Sequence, residues 1–346
     1  MNFSRKAFMI FSLLACLYIA GTGIYFISDF IKSKNAAKES PNQTAVPKAA
    51  DAEEEYVWIS CIANQSMFVN HDHKALKQFG KDLGVKVTLA GPDDYDITAQ
   101  SEAIRNAIKR KPAGIMVLGM ERGLINAVNE AVDAGIPTIT VDADLVESKR
   151  MAFVGSNWYN IGVRQAEAMV KLIGGKGKVA AMGIGGADNM QQGFEGFKSV
   201  LKNYPDIIYL GEFDDMASIE ESQRITEDIL KRHPDVAGIA GFDVNSGPGI
   251  GAAIKQANAV GKVKITCVDI EPIHLKLCKE GVIQKLIGQK RELFTYYGAR
   301  LLYDFNHATI SLSPDDKRNE ITPIPYILDT GLIEVDQSNV DSFLEQ

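Results

Sequence analysis

Pro112-Ala113-Gly114-Ile115-Met116-Val117-Leu118-Gly119, then Gly135-Ile136-Pro137-Thr138-Ile139-Thr140-Val141-Asp142-Ala143-Asp144, and finally Met151-Ala152-Phe153-Val154-Gly155-Ser156-Asn157 frame the reading of this chain. Ile115 to Leu118, Thr138 to Val141 and Ala152 to Val154 are short apolar runs bounded by Gly or Pro, as strands buried on both faces of a parallel sheet read. Between the first two, Leu124, Ile125, Val128 and Val132 recur at helical spacing, which completes a strand, helix, strand unit. The second strand ends in Asp142 and Asp144. Carboxylates at the C-terminal ends of parallel strands face the crevice where open α/β sheets hold ligands.

Upstream, Val57 to Ile62 reads as a strand, Ala75, Leu76, Phe79 and Leu83 as a helix stopping at Gly84, and Val85 to Leu89 as a second strand. Downstream the same grammar returns. Lys109-Arg110-Lys111-Pro112 followed by Ala113-Gly114-Ile115 is echoed by Lys231-Arg232-His233-Pro234 followed by Val236-Ala237-Gly238-Ile239. Each is followed by a helix and a strand ending in Val-Asp, Val141-Asp142 and Val268-Asp269. The fold class expected is α/β: two similar doubly wound parallel-sheet lobes sharing one ligand site in the cleft between them.

The 346 residues suffice for two domains of ordinary size. A formal net charge of -7 gives no support to nucleic-acid binding, which needs a basic footprint. The four cysteines, Cys16, Cys61, Cys267 and Cys278, lack metal or CxxC spacing; Cys61 and Cys267 fall in expected strands and read as inert core thiols, and Cys16 as part of the apolar N-terminal run. Residues 1–31 contain an apolar run, Ala7 to Ile27, of the length a membrane-spanning helix needs, which favours an uncleaved membrane anchor over a cleaved signal segment, with the Ala20-Gly21-Thr22-Gly23 cluster leaving cleavage open. Residues 32–55 are rich in Ala, Lys, Glu, Pro, Asn and Gln and read as a disordered linker.

These residues resemble the periplasmic binding protein type I superfamily, in its ribose, xylose and galactose-binding branch. The resemblance runs from about Tyr56 to Leu332. It rests on Asn64 to Phe68, Ile136-Pro137 leading to Val141-Asp142, Val154-Gly155-Ser156-Asn157, Gly193 to Phe197, Asn245, Asp269 and Gly288-Gln289. It implies a three-segment hinge, crossed near Asn157, Gln289 and residues 311–316. The lobes would then comprise residues 56–156 with 290–312, and 157–289 with 313–346. It also implies a site in which Met67 and Phe68 stack on a sugar while Asp142, Asn245, Asp269 and Gln289 bind its hydroxyls. Gln191 stands where the family often has Arg, Asp144 lies just beyond the first acid, and Trp158 is a further aromatic expected at the ligand. Ionised carboxylates and amides suit hydroxyls, and flat aromatics suit the C–H faces of a sugar.

The function expected is therefore an extracytoplasmic receptor closing over a pentose or hexose, with no catalytic residues, cofactor or metal. The resemblance implies a membrane partner, either a two-component histidine kinase or the permease of an ABC sugar importer. Gly247-Pro248-Gly249-Ile250-Gly251-Ala252 satisfies G-x-G-x-x-A, with Asp269 at the distance of a ribose-binding acid, which would suit an NAD-dependent oxidoreductase. These glycines read instead as capping a helix and letting it approach the sheet. His71-Asp72-His73 could suggest a metal but reads as a helix cap or solvated turn.

Overall fold

Strand β1 (Glu55–Ile59) is buried at every position, and the chain builds outward from it. The computed structural model describes residues 54–307, 310–316, 318–319 and 321–344. The apolar run and residues 32–53 of the linker lie outside these residues, and Glu55, expected to end the linker, instead opens β1. Among the described residues no helix is long and apolar enough to cross a membrane.

After β1 come a π-helical turn (Phe68–Asp72), α1 (His73–Leu83), β2 (Lys86–Ala90), α2 (Ile97–Arg110) and β3 (Gly114–Leu118). Then follow α3 (Ile125–Asp133), β4 (Thr138–Val141) and β5 (Phe153–Gly155). The second half runs α4 (Trp158–Ile173), β6 (Gly177–Gly183), α5 (Asp188–Leu201), β7 (Ile207–Asp214), α6 (Ile219–Arg232) and β8 (Val236–Gly241). It continues with α7 (Ser246–Gln256), β9 (Lys264–Val268), α8 (Pro272–Lys279) and β10 (Lys285–Gln289). Last come α9 (Arg291–His307), β11 (Ile327–Asp329), β12 (Leu332–Val335) and α10 (Asp341–Leu344).

Local chemistry sets several of these boundaries. Gly84 and Gly174 end α1 and α4 in the left-handed region, at φ 68° and 67°. Side chains of Asp96, Asn157 and Ser218 accept backbone N–H groups at the starts of α2, α4 and α6.

The strands form two six-stranded sheets of matching order, β11-β5-β4-β3-β1-β2 and β12-β10-β9-β8-β6-β7. The internal repeat read from the sequence is thus a repeat of topology. In each sheet the order reverses between the first strand and its inner neighbour, and ligands bind at the carboxyl ends beside such a switch. Helix α9 packs on α1 and on β3, β4 and β5, so it belongs to the first lobe.

The resemblance implies a crossing within 311–316 that places residues 313–346 in the second lobe, and the chain does otherwise. Instead Ile327, Leu328 and Asp329 pair in parallel with Phe153, Val154 and Gly155 of the first sheet. The chain crosses only beyond Asp329, where its carboxylate accepts the Gly331 N–H at 2.9 Å and Gly331 turns at φ +74°. Two apolar runs split by Asp-Thr-Gly therefore serve different sheets.

Close backbone approach fixes the outer layer of the second lobe. A Cβ at Gly162 of α4 would stand 1.8 Å from the Gly193 carbonyl oxygen, and one at Gly196 of α5 2.0 Å from that of Tyr159. Ala is intrinsically better in a helix by about 1 kcal/mol. The clash is with backbone on both sides, however, and overpacking costs about 1–3 kcal/mol or more. Gly162→Ala is expected to be net destabilising by about 2 kcal/mol, measured by urea unfolding; a stabilised variant would show the helices free to separate.

Candidate ligand-binding cleft

The twin acids are held in twin ways. Asp142 follows β4 and donates its backbone N–H to Val154 O at 2.9 Å, while Asp269 follows β9 and donates to Ile287 O at 3.1 Å. Both have left-handed backbones, at φ 67° and 75°. Such conformations are uncommon outside Gly, with Asn and Asp the best tolerated, and they cluster at functional sites.

Both acids line one cavity of about 230 Å³ between the lobes. The first lobe contributes Cys61, Met67, Phe68, Tyr95 and Asp142; the second contributes Trp158, Asn189, Met190, Asp243, Asn245, Asp269 and Gln289. Pockets for drug-sized ligands span roughly 300–1,000 Å³, so this one suits a smaller guest. The lobes are closed over it: His71 meets Glu271 across the gap at 2.8 Å, and Arg122 meets Asp188 at 3.1 Å.

Of the residues expected at the site, Met67, Phe68, Asp142, Trp158, Asn245, Asp269 and Gln289 come together here. The Phe68 ring is set edge-on by Trp58, with centroids 5.4 Å apart and planes at 71°. Trp158 opens α4 and donates its indole N–H to the Asp142 carbonyl at 3.2 Å. Asn245 spends its amide N–H on Ala217 O at 2.7 Å, leaving the amide oxygen as an acceptor.

Asp144 and Gln191, expected at the ligand, do not line this cavity; both face a separate groove with Arg122, Glu147 and Tyr159. The left-handed turn at Asp142 redirects the chain, and the Asp144 carboxylate is gripped at both oxygens by the buried Arg150 at 2.5 Å. On α5, Asn189 and Met190 face the cavity and the next residue rotates away, as a helical step requires.

Arg291, unforeseen from sequence, is the main cation of the cleft. It opens α9 and donates to both oxygens of Asp72 at 3.0 and 3.3 Å, to Asp142 Oδ2 at 2.9 Å and to Gln289 Oε1 at 3.4 Å. Its guanidinium also lies 5.1 Å from the centre of the Phe68 ring. Burial opposes its charge, but Asp142 and Asp72 outweigh that and hold it above its ordinary range. Asp72 is fully buried, which overturns its reading as part of a solvated turn.

The second lobe is acidic. Burial pushes Asp269 up to about 7, with Arg291 pulling the other way. Asp215 and Asp243 hydrogen-bond to each other and both lie above the usual carboxylate range, chiefly through burial. Two buried carboxyls in contact hold one proton between them. Burial likewise pushes the Cys61 thiol up to about 12, so it is an inert lining group.

Several buried polar atoms in the cavity wall have no partner among the described residues: Asp142 Oδ1, Asn189 Oδ1 and Gln289 Nε2. They are two acceptors and one donor, and they come from both lobes. A buried polar atom without a partner costs about 1–3 kcal/mol. A small guest rich in hydroxyls removes that cost at several atoms at once. The G-x-G-x-x-A run serves packing: Cβ atoms at Gly247 and Gly249 would meet His274 at 2.8 Å and Ile219 O at 2.5 Å.

The family model described as periplasmic binding protein domain matches residues 57–306. Among curated proteins, the D-apiose import binding protein of Actinobacillus succinogenes is 25% identical over 198 residues. That match covers 56% of this chain and 64% of the relative, so the chain spans just under two thirds of its length. The sugar-binding protein of a sugar ABC transporter from Bacillus halodurans is 30% identical, with a TM-score of 0.76 over 84% of this chain and 100% of that one. The XylFII–LytSN complex contains a chain 25% identical, with a TM-score of 0.71 over 83% and 98%.

Proposed function

Since this chain belongs to the periplasmic binding protein domain family, a family of binding proteins and not of enzymes, we propose that it is a receptor closing two lobes over a monosaccharide. The observation that carries the reading is the set of unpartnered buried atoms, Asp142 Oδ1, Asn189 Oδ1 and Gln289 Nε2, arrayed around one small cavity with Phe68 and Trp158. Ionised carboxylates and amide oxygens accept hydroxyl protons, and the Gln289 amide donates to a ring or hydroxyl oxygen. Closure needs a ligand that binds the closed form better than the open one. Asp142 and Asp269, on opposite lobes and lining one cavity, are the groups through which a common guest would favour the closed form.

The receptor works outside the cytoplasm, held at the membrane by the apolar run from Ala7 to Ile27, and a membrane histidine kinase reads its closed form. A permanent anchor favours a stationary sensor over a carrier that must deliver its load. The pairing of XylFII with LytSN offers a precedent for a protein of similar fold docking on a second protein. Delivery to an ABC permease is the second reading, favoured by the D-apiose import binding protein among its relatives.

Calorimetric titration of the chain with pentoses and hexoses, D-apiose and D-arabinose among them, tests the first step. At least one sugar is expected to bind at micromolar concentration or below. Failure of every member of the panel would remove the sugar assignment.

A further inference from the structure

We propose that His71 is a latch across the cleft, tying Glu271 of the second lobe to Glu292 of the first and thereby setting how often the ligand-free receptor is shut. His71 lies in the π-helical turn that packs on α1 and α9, hence in the first lobe. Glu271 precedes α8 in the second lobe, and Glu292 is in the first turn of α9. The ring reaches both: Nε2 lies 2.8 Å from Glu271 Oε1 and Nδ1 lies 2.6 Å from Glu292 Oε1.

Two carboxylate acceptors on one imidazole require both nitrogens to donate, so the ring carries a positive charge in this arrangement. The two carboxylates push its pKa up to about 10 against the opposing effect of burial. The contact is also sheltered. Glu271 is 8% exposed and His71 26%, whereas Arg122, in the other ion pair across the cleft, is 64% exposed. Shielded, charge-assisted bonds are strong and exposed pairs weak, so the closing force at the cleft mouth concentrates at His71.

Each latch residue lies within two positions of a residue that lines the ligand cleft or pairs with its Arg291. His71 precedes Asp72, the partner of Arg291; Glu271 lies two beyond Asp269; Glu292 follows Arg291. The same three backbone segments therefore present one set of side chains to the guest and another to each other. Groups that grip ligand and groups that shut the lobes move together.

The test needs no ligand. Nitroxide labels on Lys109→Cys of α2 and Arg232→Cys of α6 report the distance between lobes in the full chain. A Cys16→Ser background is used, the other cysteines being buried. Glu271→Ala removes no helix-capping bond, and it is expected to raise the open-to-closed ratio roughly tenfold, the weight of a charge-assisted bond. His71→Ala should do the same, and the double variant should open no further than either single change, because both remove one contact. Glu292→Ala cuts only the bond within the first lobe and should shift the ratio less than threefold. A wild-type distance distribution in Glu271→Ala, additive opening in the double variant, or equal opening by Glu292→Ala would overturn the latch. Thermal melts run in parallel confirm that each variant is folded when its distances are read.

Discussion

Arg291→Met is expected to cost about 3–5 kcal/mol of folding stability, the usual consequence of removing one partner from a buried ion pair. The reason lies in what is left behind. Asp72 is fully buried and Asp142 nearly so, and the guanidinium donates to both at 2.9–3.3 Å. Even with that cation present, burial pushes Asp72 up to about 7. Without it, both carboxyls must take up protons or remain charged and unpaired. For a lobe of this size the loss corresponds to a fall in Tm of roughly 6–20 °C. Arg291→Lys should rescue only part, because a point charge cannot fork to two carboxylates. Adding Asp72→Asn to Arg291→Met should recover stability by removing one stranded charge. Urea unfolding and thermal melts check all three; a loss under about 1 kcal/mol for Arg291→Met would show that the pairing is not structural.

Asp142→Asn and Asp269→Asn are expected to weaken binding of whichever sugar proves to be the ligand by roughly 10- to 150-fold each, the weight of a hydrogen bond to a charged group. Asn is the informative replacement because both positions are left-handed, at φ 67° and 75°, where Asn is well tolerated. Asp142→Asn also weakens the buried pair with Arg291, and Ala at either site should lose the same affinity and about 1–3 kcal/mol more stability than Asn, from backbone strain. Calorimetry separates the first effect and thermal melting the second. A Kd within threefold of wild type for Asp269→Asn would mean that this acid does not touch the guest.

The two acids were legible because local pattern determines them: an apolar run, a strand end, and a repeat of both in the other half. Arg291 was not, since its partners Asp72 and Asp142 lie 219 and 149 residues away in sequence. Position alone hinted at it, as a charged residue two beyond Gln289 at the head of a helix. Asp72 was obscured by its histidine neighbours, which invite reading all three as polar surface. Asp144 failed for the opposite reason. It looks like a twin of Asp142, but one left-handed residue redirects it toward Arg150. Gln191 was reached through a position that commonly carries Arg, while the wall of the cavity is made by its neighbours Asn189 and Met190. The final crossing was misplaced because short runs on either side of Asp-Thr-Gly do not reveal which sheet each will join.

Gln289 ends β10 and Arg291 begins α9, so the chain passes from one lobe to the other between two side chains that line the cavity. The pivot is itself part of the recognition surface, and occupancy needs no relay of intermediate residues to reach it. Substitutions in this short link should therefore change affinity and swing angle together. An engineer wishing to retune the receptor for a new guest without altering the shape it shows its partner would do better to work at the opposite wall, around Asn189 and Met190.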